Sequence, residues 1–337
     1  MPLRLTRHEK PWSIDAWQLT NLRHAFAMKN IPIFPEIRAL EIKDRDLIQG
    51  ALDRYRPETS ELTFTNLFIW RAHYGIKWSV FQDWLLFFCA RDDREVGHTT
   101  AAMCKVLPPI GPASRTEVVL RLLRYLRDDR GISNPTIERA DARLVAEIGC
   151  CAGLSVEPVR EHFDYLYATR DLIDLVGQKY HAKRNHLAQA RRAGRFTYAP
   201  LLDSHRHECL ELSDDWCRVR HCSEDLGLVG EQAAVHEALK HLMHLKLIGG
   251  VVLIEGRVAA FSLGELLNPE TGVVHIEKAS PDQPGLYAVI NQNFSAHAFA
   301  KTAYVNREQD LGEKGLRRAK LSYHPIRLIE KYRIQLS

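Results

Sequence analysis

The densest run of chemically useful side chains follows a predicted buried strand near the end of the chain. Asn306, Arg307, Glu308 and Asp310 stand within five residues, and Gly312 then opens a predicted helix. Buried polar groups need hydrogen-bond partners, so four such side chains at a strand end predict a functional site. Backbone amides at the start of the helix could hold a carboxylate or phosphate. The alternative is an exposed loop followed by a solvated helix.

Further side chains are predicted to join this site. Lys320, near the end of the same helix, could reach back over a cleft, and Arg317 precedes it by one turn. Glu277 interrupts the apolar strand VVHIEKA. Side chains alternate along a strand, so only one of Glu277 and Lys278 shares a face with His275. The alternative for Glu277 is an edge-strand charge that limits aggregation.

A basic stretch occupies the middle of the chain, within a predicted long helix, Asp171–Arg192. Residues 175–202 contain no acidic side chain and six basic ones, which are Lys179, Lys183, Arg184, Arg191, Arg192 and Arg195. Lys179, Lys183 and His186 share one helix face at spacings of four and three. Such a stripe indicates an anionic partner, either tRNA or phospholipid headgroups. A solvated helix face is the alternative.

Potential metal ligands cluster within eighteen residues, namely His205, His207, Cys209, Cys217, His221 and Cys222. Their spacing matches no common zinc pattern, so we expect core packing and no metal. The seven cysteines of the chain are odd in number and scattered. This argues against a disulfide framework and fits a reducing compartment.

The composition sets broad limits on the class of protein. A chain of 337 residues with 45% hydrophobic and 26% charged residues is typical of two globular domains. The sequence has no apolar run long enough to span a bilayer and no secretory leader. We therefore expect a cytoplasmic protein without a transmembrane segment. Its net charge of +4 is mild.

The predicted elements occur in the same order twice. Each half has helices, a hairpin, a strand, a helix, a strand, a helix and a strand, which predicts an α+β fold. This order is similar to that of the GNAT acyltransferases and implies tandem GNAT domains, each a mixed twisted sheet flanked by helices. The predicted divisions are an arm at 1–37, a first domain at 38–170 and a second at 171–337.

The expected acyl-CoA loop departs from the GNAT pattern. GNAT enzymes that use acetyl-CoA carry Q/R-x-x-G-x-G/A before the main helix, where backbone N–H groups hold the pyrophosphate. The equivalent loop here, residues 280–285, reads SPDQPG. Its two prolines lack N–H groups, and Asp282 adds a negative charge. The loop disfavours CoA, and we expect no cofactor.

Four segments resemble the phosphatidylglycerol lysyltransferase C-terminal-domain family, which is similar to the Fem transferases. They are YVNREQDLG at 304–312, GLRRAKLSYHP at 315–325, LTFTNLFIW at 62–70 and GQKYHAKRN at 177–185. The resemblance runs from about residue 38 to the end. It implies a tandem GNAT aminoacyltransferase that moves an amino acid from aminoacyl-tRNA to a lipid or other small acceptor.

The resemblance implies that Asn306, Arg307, Glu308, Asp310 and Lys320 line the cleft, and that Lys183, Arg184 and Asn185 lie on a helix between the domains. In the aminoacyltransferase hypothesis Lys320 or Arg307 would stabilise the developing oxyanion, and Asp310 or Glu308 would orient the attacking group or accept its proton, so these four residues would be catalytic. The predicted substrate-binding residues are Asn306, Glu277, Lys183, Arg184, Asn185 and Arg317. Two alternatives stay open: an acyl-CoA-dependent N-acyltransferase, and a catalytically silent tandem GNAT protein that binds tRNA, lipid or a protein. The sequence specifies neither the amino acid, the acceptor nor the oligomeric state.

Overall fold

Two seven-stranded sheets with flanking helices make up the architecture. A computed structural model describes residues 31–90, 104–149 and 151–337. Most of the arm predicted at 1–37 lies outside the described residues. In the part that is described, Phe34 is buried in the core beside the first sheet.

Among the described strands of the first sheet one pair is parallel, Cys104–Val106 with Thr136–Ala140, and the other pairs are antiparallel. In spatial order its strands are β1 (Arg38–Ala39), β2 (Ile76–Phe81), β3 (Trp84–Ala90), β4 (Cys104–Val106), β5 (Thr136–Ala140), β14 (Tyr332–Leu336) and β6 (Leu154–Pro158).

The described strands of the second sheet repeat this plan, with Thr271–Ala279 and Tyr304–Asn306 as the parallel pair. In spatial order its strands are β13 (Arg327–Ile329), β7 (Asp164–Ala168), β12 (Tyr304–Asn306), β11 (Thr271–Ala279), β10 (Arg257–Asn268), β9 (Ile248–Ile254) and β8 (Phe196–Pro200). The duplication confirms the predicted α+β class, with two mixed sheets.

The two halves of the chain exchange a strand. β7, the last strand of residues 38–170, pairs with β12 in the second sheet, and β14, the last strand of the chain, pairs with β5 in the first. Strand pairing therefore crosses the predicted division at residue 170 in both directions. That division remains a prediction about folding units, because the sheets themselves are not built from contiguous halves.

Helices cover the faces of both sheets. They are α1 (Arg45–Tyr55), α2 (Phe64–Ile69), α3 (Arg71–Tyr74), α4 (Thr116–Arg124), α5 (Ala142–Ile148), α6 (Thr169–Asp174), α7 (His181–Ala193), α8 (Arg206–Val219), α9 (Leu226–Lys240), α10 (Leu242–Leu245), α11 (Leu286–Ala298) and α12 (Lys314–Leu321). Side-chain caps begin several of them, since Thr63, Asp141 and Asp225 accept backbone N–H bonds at the starts of α2, α5 and α9.

The predicted long helix over 171–192 is wrong in its continuity. α6 ends at Asp174, and α7 begins only at His181. Leu175 and Gly177 both adopt positive φ, at 48° and 93°, which breaks the helical path. The Arg184 guanidinium then donates to the carbonyl oxygens of Leu175 and Gly177 at 2.6 and 2.8 Å, which stabilises the break.

One hydrophobic core is shared by the two halves. It combines Phe64 and Trp78 from the first half with Val235 and Phe261 from the second. Burying apolar surface on both sides of one cluster fixes the halves against each other. Among the described residues, no helix is long and apolar enough to cross a membrane.

Candidate functional site

An opening lies between β11 and β12 of the second sheet. The strands pair only over Thr271–Val273 and Tyr304–Asn306. Beyond that point the chain follows β7 instead, because the Arg307 N–H donates to the Tyr165 carbonyl at 3.0 Å and the Tyr165 N–H donates to the Glu308 carbonyl at 3.2 Å. β11 continues to Ala279 without this partner, so the two strands diverge and leave a cleft.

Side-chain ion pairs bridge the cleft where backbone pairing has ended. Glu277 on β11 lies 2.9 Å from the Arg307 guanidinium. His275 on the same strand lies 2.8 Å from Glu308 through Nδ1 and 3.0 Å from Glu265 through Nε2. Burial alone lowers the pKa of His275, but the two carboxylates outweigh it and raise the pKa to about 9. The imidazole is therefore a buried cation that joins β10, β11 and the segment after β12.

Positive charge collects around one aromatic ring at the cleft. The Arg307 guanidinium carbon lies 4.9 Å from the centre of the Tyr323 ring, and the Lys183 Nζ lies 3.9 Å from it. Burial, with a further contribution from Arg307, lowers the pKa of Lys183 to about 8. Within the described part of the chain, Lys183 has no acidic side chain within salt-bridge distance. A half-buried ammonium without a counter-ion suits an anionic ligand.

Lys320 lies beneath the same cleft. Its ammonium donates to the carbonyl oxygens of Arg307 and Glu308, the latter at 3.1 Å, and the residue is buried. Burial, followed by repulsion from Arg307, lowers the pKa of Lys320 to about 8. An ammonium carries three donors, so these two bonds leave one N–H for a ligand. At neutral pH the group is still mainly charged.

The Asp310 carboxylate is fully buried behind the cleft and heavily hydrogen-bonded. It accepts from the Tyr165 hydroxyl at 2.5 Å, from Arg317 at 2.8 and 2.9 Å, from Arg160 at 3.2 Å and from the Gly312 N–H at 2.8 Å. Burial raises its pKa, but the bonds from Arg317, Tyr165 and Gly312 outweigh burial and lower the pKa to about 2. Such a carboxylate is a poor proton acceptor at neutral pH.

Asn306 belongs to a second buried network between the two sheets. Its amide donates to Asp164 at 3.0 Å, and Asp164 lies 2.6 Å from Lys331. Lys331 also lies 2.6 Å from Glu61, which in turn pairs with Arg139. Sequence reasoning missed the other four members, because residues 61, 139, 164 and 331 are distant in the chain and no motif links them.

The ten predicted site residues separate into three groups. Those at the cleft are Glu277, Arg307, Glu308, Lys320 and Lys183. Those behind it, in supporting networks, are Asn306, Asp310 and Arg317. Arg184 and Asn185 lie outside both groups, because Arg184 binds backbone carbonyls and the Asn185 amide lies 3.2 Å from the His181 ring on the same helix.

The start of α11, where a GNAT enzyme would bind the CoA pyrophosphate, is covered by α7. Gly285 has a φ of 88°, and a Cβ at this position would lie only 2.2 Å from the His186 carbonyl oxygen. The corresponding start of α4 in the first half also has an internal partner, since the Arg115 N–H donates to Glu147 at 2.7 Å. Other parts of the chain thus pack closely against the starts of both helices.

The histidine and cysteine cluster of α8 contains one covalent link. Cys217 at the end of α8 and Cys222 in the following turn form a disulfide, and their Cα atoms are 5.1 Å apart. The expectation that these cysteines are only packing residues is wrong for this pair, because the turn after α8 brings them together. Cys209 is buried and free. The described residues include no group of three or more histidine, cysteine or acidic side chains placed to hold a metal.

The divergent strands and duplicated sheets define a tandem GNAT-like fold. A crystal structure of a conserved protein of unknown function from Bacteroides thetaiotaomicron is 32% identical, with a TM-score of 0.80 over 89% of this chain and 99% of that one. L-PGS from Bacillus licheniformis has a TM-score of 0.58 at 14% identity, over 91% of this chain and 94% of its own. FemX has a TM-score of 0.55 at 9% identity, over 90% and 97%.

The family assignment follows from the sequence. Residues 52–335 match the family described as "Phosphatidylglycerol lysyltransferase, C-terminal", and the chain belongs to it. This confirms the resemblance inferred from the four segments.

Proposed function

We propose that this chain is an aminoacyltransferase that moves an amino acid from aminoacyl-tRNA to a hydroxyl or amine of an acceptor, either a phosphatidylglycerol-like lipid or another small molecule. The observation that carries the proposal is a cationic cleft beside which α7 packs closely on Gly285, at the start of α11 where acyl-CoA would bind. Membership of the family and the FemX-like fold agree with it.

In the proposed reaction the acceptor's oxygen or nitrogen attacks the carbonyl carbon of the aminoacyl ester. The new bond forms as the ester bond to the tRNA ribose breaks, and the acceptor's proton ends on the released ribose hydroxyl. Negative charge develops on the carbonyl oxygen in the transition state. The third N–H of the buried Lys320 would stabilise it as a charge-assisted donor.

The carboxylates have a positioning role in this proposal. Glu308 is bound to the cationic His275, and Asp310 accepts bonds from two arginines, a tyrosine and a backbone amide. We therefore do not retain the expectation that either one accepts the acceptor's proton. Glu308 instead fixes the backbone whose carbonyl oxygens hold Lys320.

The donor would lie along α7. Lys183 supplies an ammonium inside the cleft, and Arg191 and Arg192 continue the basic surface outward on the same helix, both exposed. Repeated positive charge without intervening acids suits a nucleic-acid backbone. In this arrangement the tRNA acceptor end enters past Lys183, and its ester reaches Lys320.

The test is to incubate the protein with a panel of radiolabelled aminoacyl-tRNAs, together with a lipid and small-molecule extract. Label should leave one charged tRNA only when protein and extract are both present, and should appear in an acceptor. Label released to water by protein alone would identify a hydrolase. If no member of the panel loses label, and acetyl-CoA binds saturably by calorimetry, the acyl-CoA alternative replaces this proposal.

A further inference from the structure

Exposed apolar side chains concentrate around α12. Among the described residues, four of the thirteen exposed large hydrophobic residues fall between 311 and 326, each 42–51% exposed; they are Leu311, Leu316, Leu321 and Ile326. Leaving so many aliphatic side chains in water within sixteen residues costs hydrophobic free energy. On α12, Leu321 shares a helix face with Lys314 and Arg318, whereas Leu316 lies about 140° away, so the candidate surface is built on Leu321.

The same segment is strongly basic. Residues 311–327 contain five lysine and arginine residues and one acidic residue, Glu313. Lys314 and Arg318, both exposed, have no acidic partner within the ranges that the structure describes. Together with Leu321, Ser322 and Arg317, which pairs with Asp310, they line an open groove of about 610 Å³. The groove therefore combines unpaired cations with an aliphatic side chain.

We propose that α12 and its flanking residues 311–327 form a docking surface for an anionic lipid bilayer. Exposed leucine and isoleucine beside lysine and arginine are typical of a protein surface that lies in the bilayer interface. Acidic headgroups attract the cations, and the aliphatic side chains leave water for the acyl region.

A nucleic acid is the less suitable partner for this surface. Exposed leucines gain little from phosphates, whereas base recognition relies on aromatic stacking and polar side chains. The basic helix α7 is different, because its exposed residues include Arg191 and Arg192 but no large aliphatic side chain. The two basic surfaces are therefore assigned to different partners: α7 to RNA and α12 to lipid.

The position of the surface connects it to the cleft. α12 exposes Arg318 and Leu321, while Lys320 on the same helix is buried and binds the carbonyl oxygens of Arg307 and Glu308. A helix with side chains is about 10 Å across, so a bilayer touching its exposed side would lie about one helix diameter from the cleft. A membrane-borne acceptor could reach the cleft without leaving the bilayer entirely.

The test measures sedimentation of the full chain with vesicles, in the absence of tRNA. We expect binding to an equal mixture of phosphatidylglycerol and phosphatidylcholine, weaker binding at high salt, and little binding to phosphatidylcholine alone. The double variant Lys314→Glu, Arg318→Glu should bind at least tenfold more weakly, since each basic side chain near an anionic surface contributes about fivefold. Leu321→Ser should lose roughly fivefold.

Control variants on α7 and α9 test whether the loss of vesicle binding is specific to α12. Arg191→Glu, Arg192→Glu on α7 reverses the same number of charges, and Leu226→Ser on α9 removes a leucine that is 58% exposed, against 45% for Leu321. Both should bind vesicles as the unmodified protein does, with unchanged thermal unfolding in every variant. The inference is overturned if the α12 variants bind vesicles normally or if the controls lose as much. Since no transfer is measured, this surface and the proposed reaction can fail independently.

Discussion

Glu277 on β11 and Arg307 after β12 form an ion pair, 2.9 Å apart, across strands that have already diverged. Their side chains are only 11% and 13% exposed. The ion pair therefore links β11 to the segment after β12 beyond the last backbone hydrogen bond between the two strands. It holds the two walls of the cleft at a fixed separation. Such a buried pair depends strongly on both partners, because removing one leaves the other charge uncompensated.

Removing Arg307 should affect both stability and transfer. Arg307→Met leaves Glu277 buried without its counter-charge, which should lower the free energy of unfolding by about 3 kcal/mol in urea titrations. Aminoacyl transfer should become undetectable, because the Arg307 side chain forms part of one wall of the cleft. Arg191→Met removes an exposed arginine and should change stability by less than about 0.5 kcal/mol. Equal effects of the two variants would show that the Glu277 pair does not support the cleft.

Lys320 gives the transfer rate a predicted dependence on pH. Burial lowers its pKa to about 8, so its ammonium loses charge as the pH rises through about 8. Only the charged form stabilises an oxyanion well, and transfer should decline over that range. Lys320→Arg should move the decline to higher pH, because a guanidinium stays charged.

A control separates Lys320 from its neighbour in the cleft. Lys183 also has a pKa of about 8, so both lysines would titrate in the same range. In the Lys183→Arg variant the decline in kcat should persist near pH 8, whereas KM for the tRNA should become less dependent on pH. If Lys183→Arg alone removes the decline in kcat, then Lys183 and not Lys320 stabilises the transition state.

His275 should make stability depend on alkaline pH. Its pKa rises from about 6.5 in the unfolded chain to about 9 in the folded protein, so the folded state holds the proton more tightly. This contribution is complete below pH 6.5 and is lost as the pH rises through 9. It amounts to about 3 kcal/mol of unfolding free energy for a fully buried group.

The variant His275→Gln tests this by removing the titrating group. The unmodified protein should lose more stability between pH 6.5 and 9 than the variant does, measured by urea unfolding at several pH values. The variant should be less stable at pH 6.5, since two buried carboxylates, Glu265 and Glu308, lose their shared cation. Parallel pH profiles for the two proteins would mean that His275 is neutral in the folded state.

Gly285 should tolerate substitution much less well than a glycine in a similar conformation elsewhere. Gly285 and Gly256 have φ values of 88° and 81°, but a Cβ would meet the His186 carbonyl only at Gly285, and nothing within 4 Å at Gly256. Gly256→Ala should cost roughly 1–2 kcal/mol of unfolding free energy. Gly285→Ala should cost roughly 1–3 kcal/mol more, because α7 must move. Equal losses would contradict the close packing of α7 on α11.

Much of the architecture could be predicted from the sequence, because it depends on local patterns. The hairpins of both halves and the helix at 286–298 follow from periodicity, and the family follows from the run between 304 and 325. The exchange of β7 and β14 could not be predicted, since an alternating strand carries no information about which of two similar sheets it joins. The break at Leu175 escaped prediction because leucine rarely adopts positive φ.

The sequence grouped most members of the candidate site but not their partners. The polar run after β12 and Glu277 on β11 were predicted to share one site, and the structure places Glu277 2.9 Å from Arg307, while Lys278 pairs with Glu231 at 2.8 Å. That this cluster is the functional site stays a prediction. Spacing does not reveal partners distant in the chain. The sequence predicted Asp310 as a proton acceptor, because it could not show that Arg160 and Tyr165, about 150 residues earlier, donate hydrogen bonds to this carboxylate.

The most direct test of the account is a single-turnover transfer measurement from the charged tRNA that the panel identifies. The unmodified protein and Lys320→Met should bind that tRNA with similar affinity, because the exposed basic face of α7 is unchanged. Label should reach the acceptor with the unmodified protein, and at least about a hundredfold more slowly with Lys320→Met. Transfer at the same rate by both proteins would contradict the proposed site.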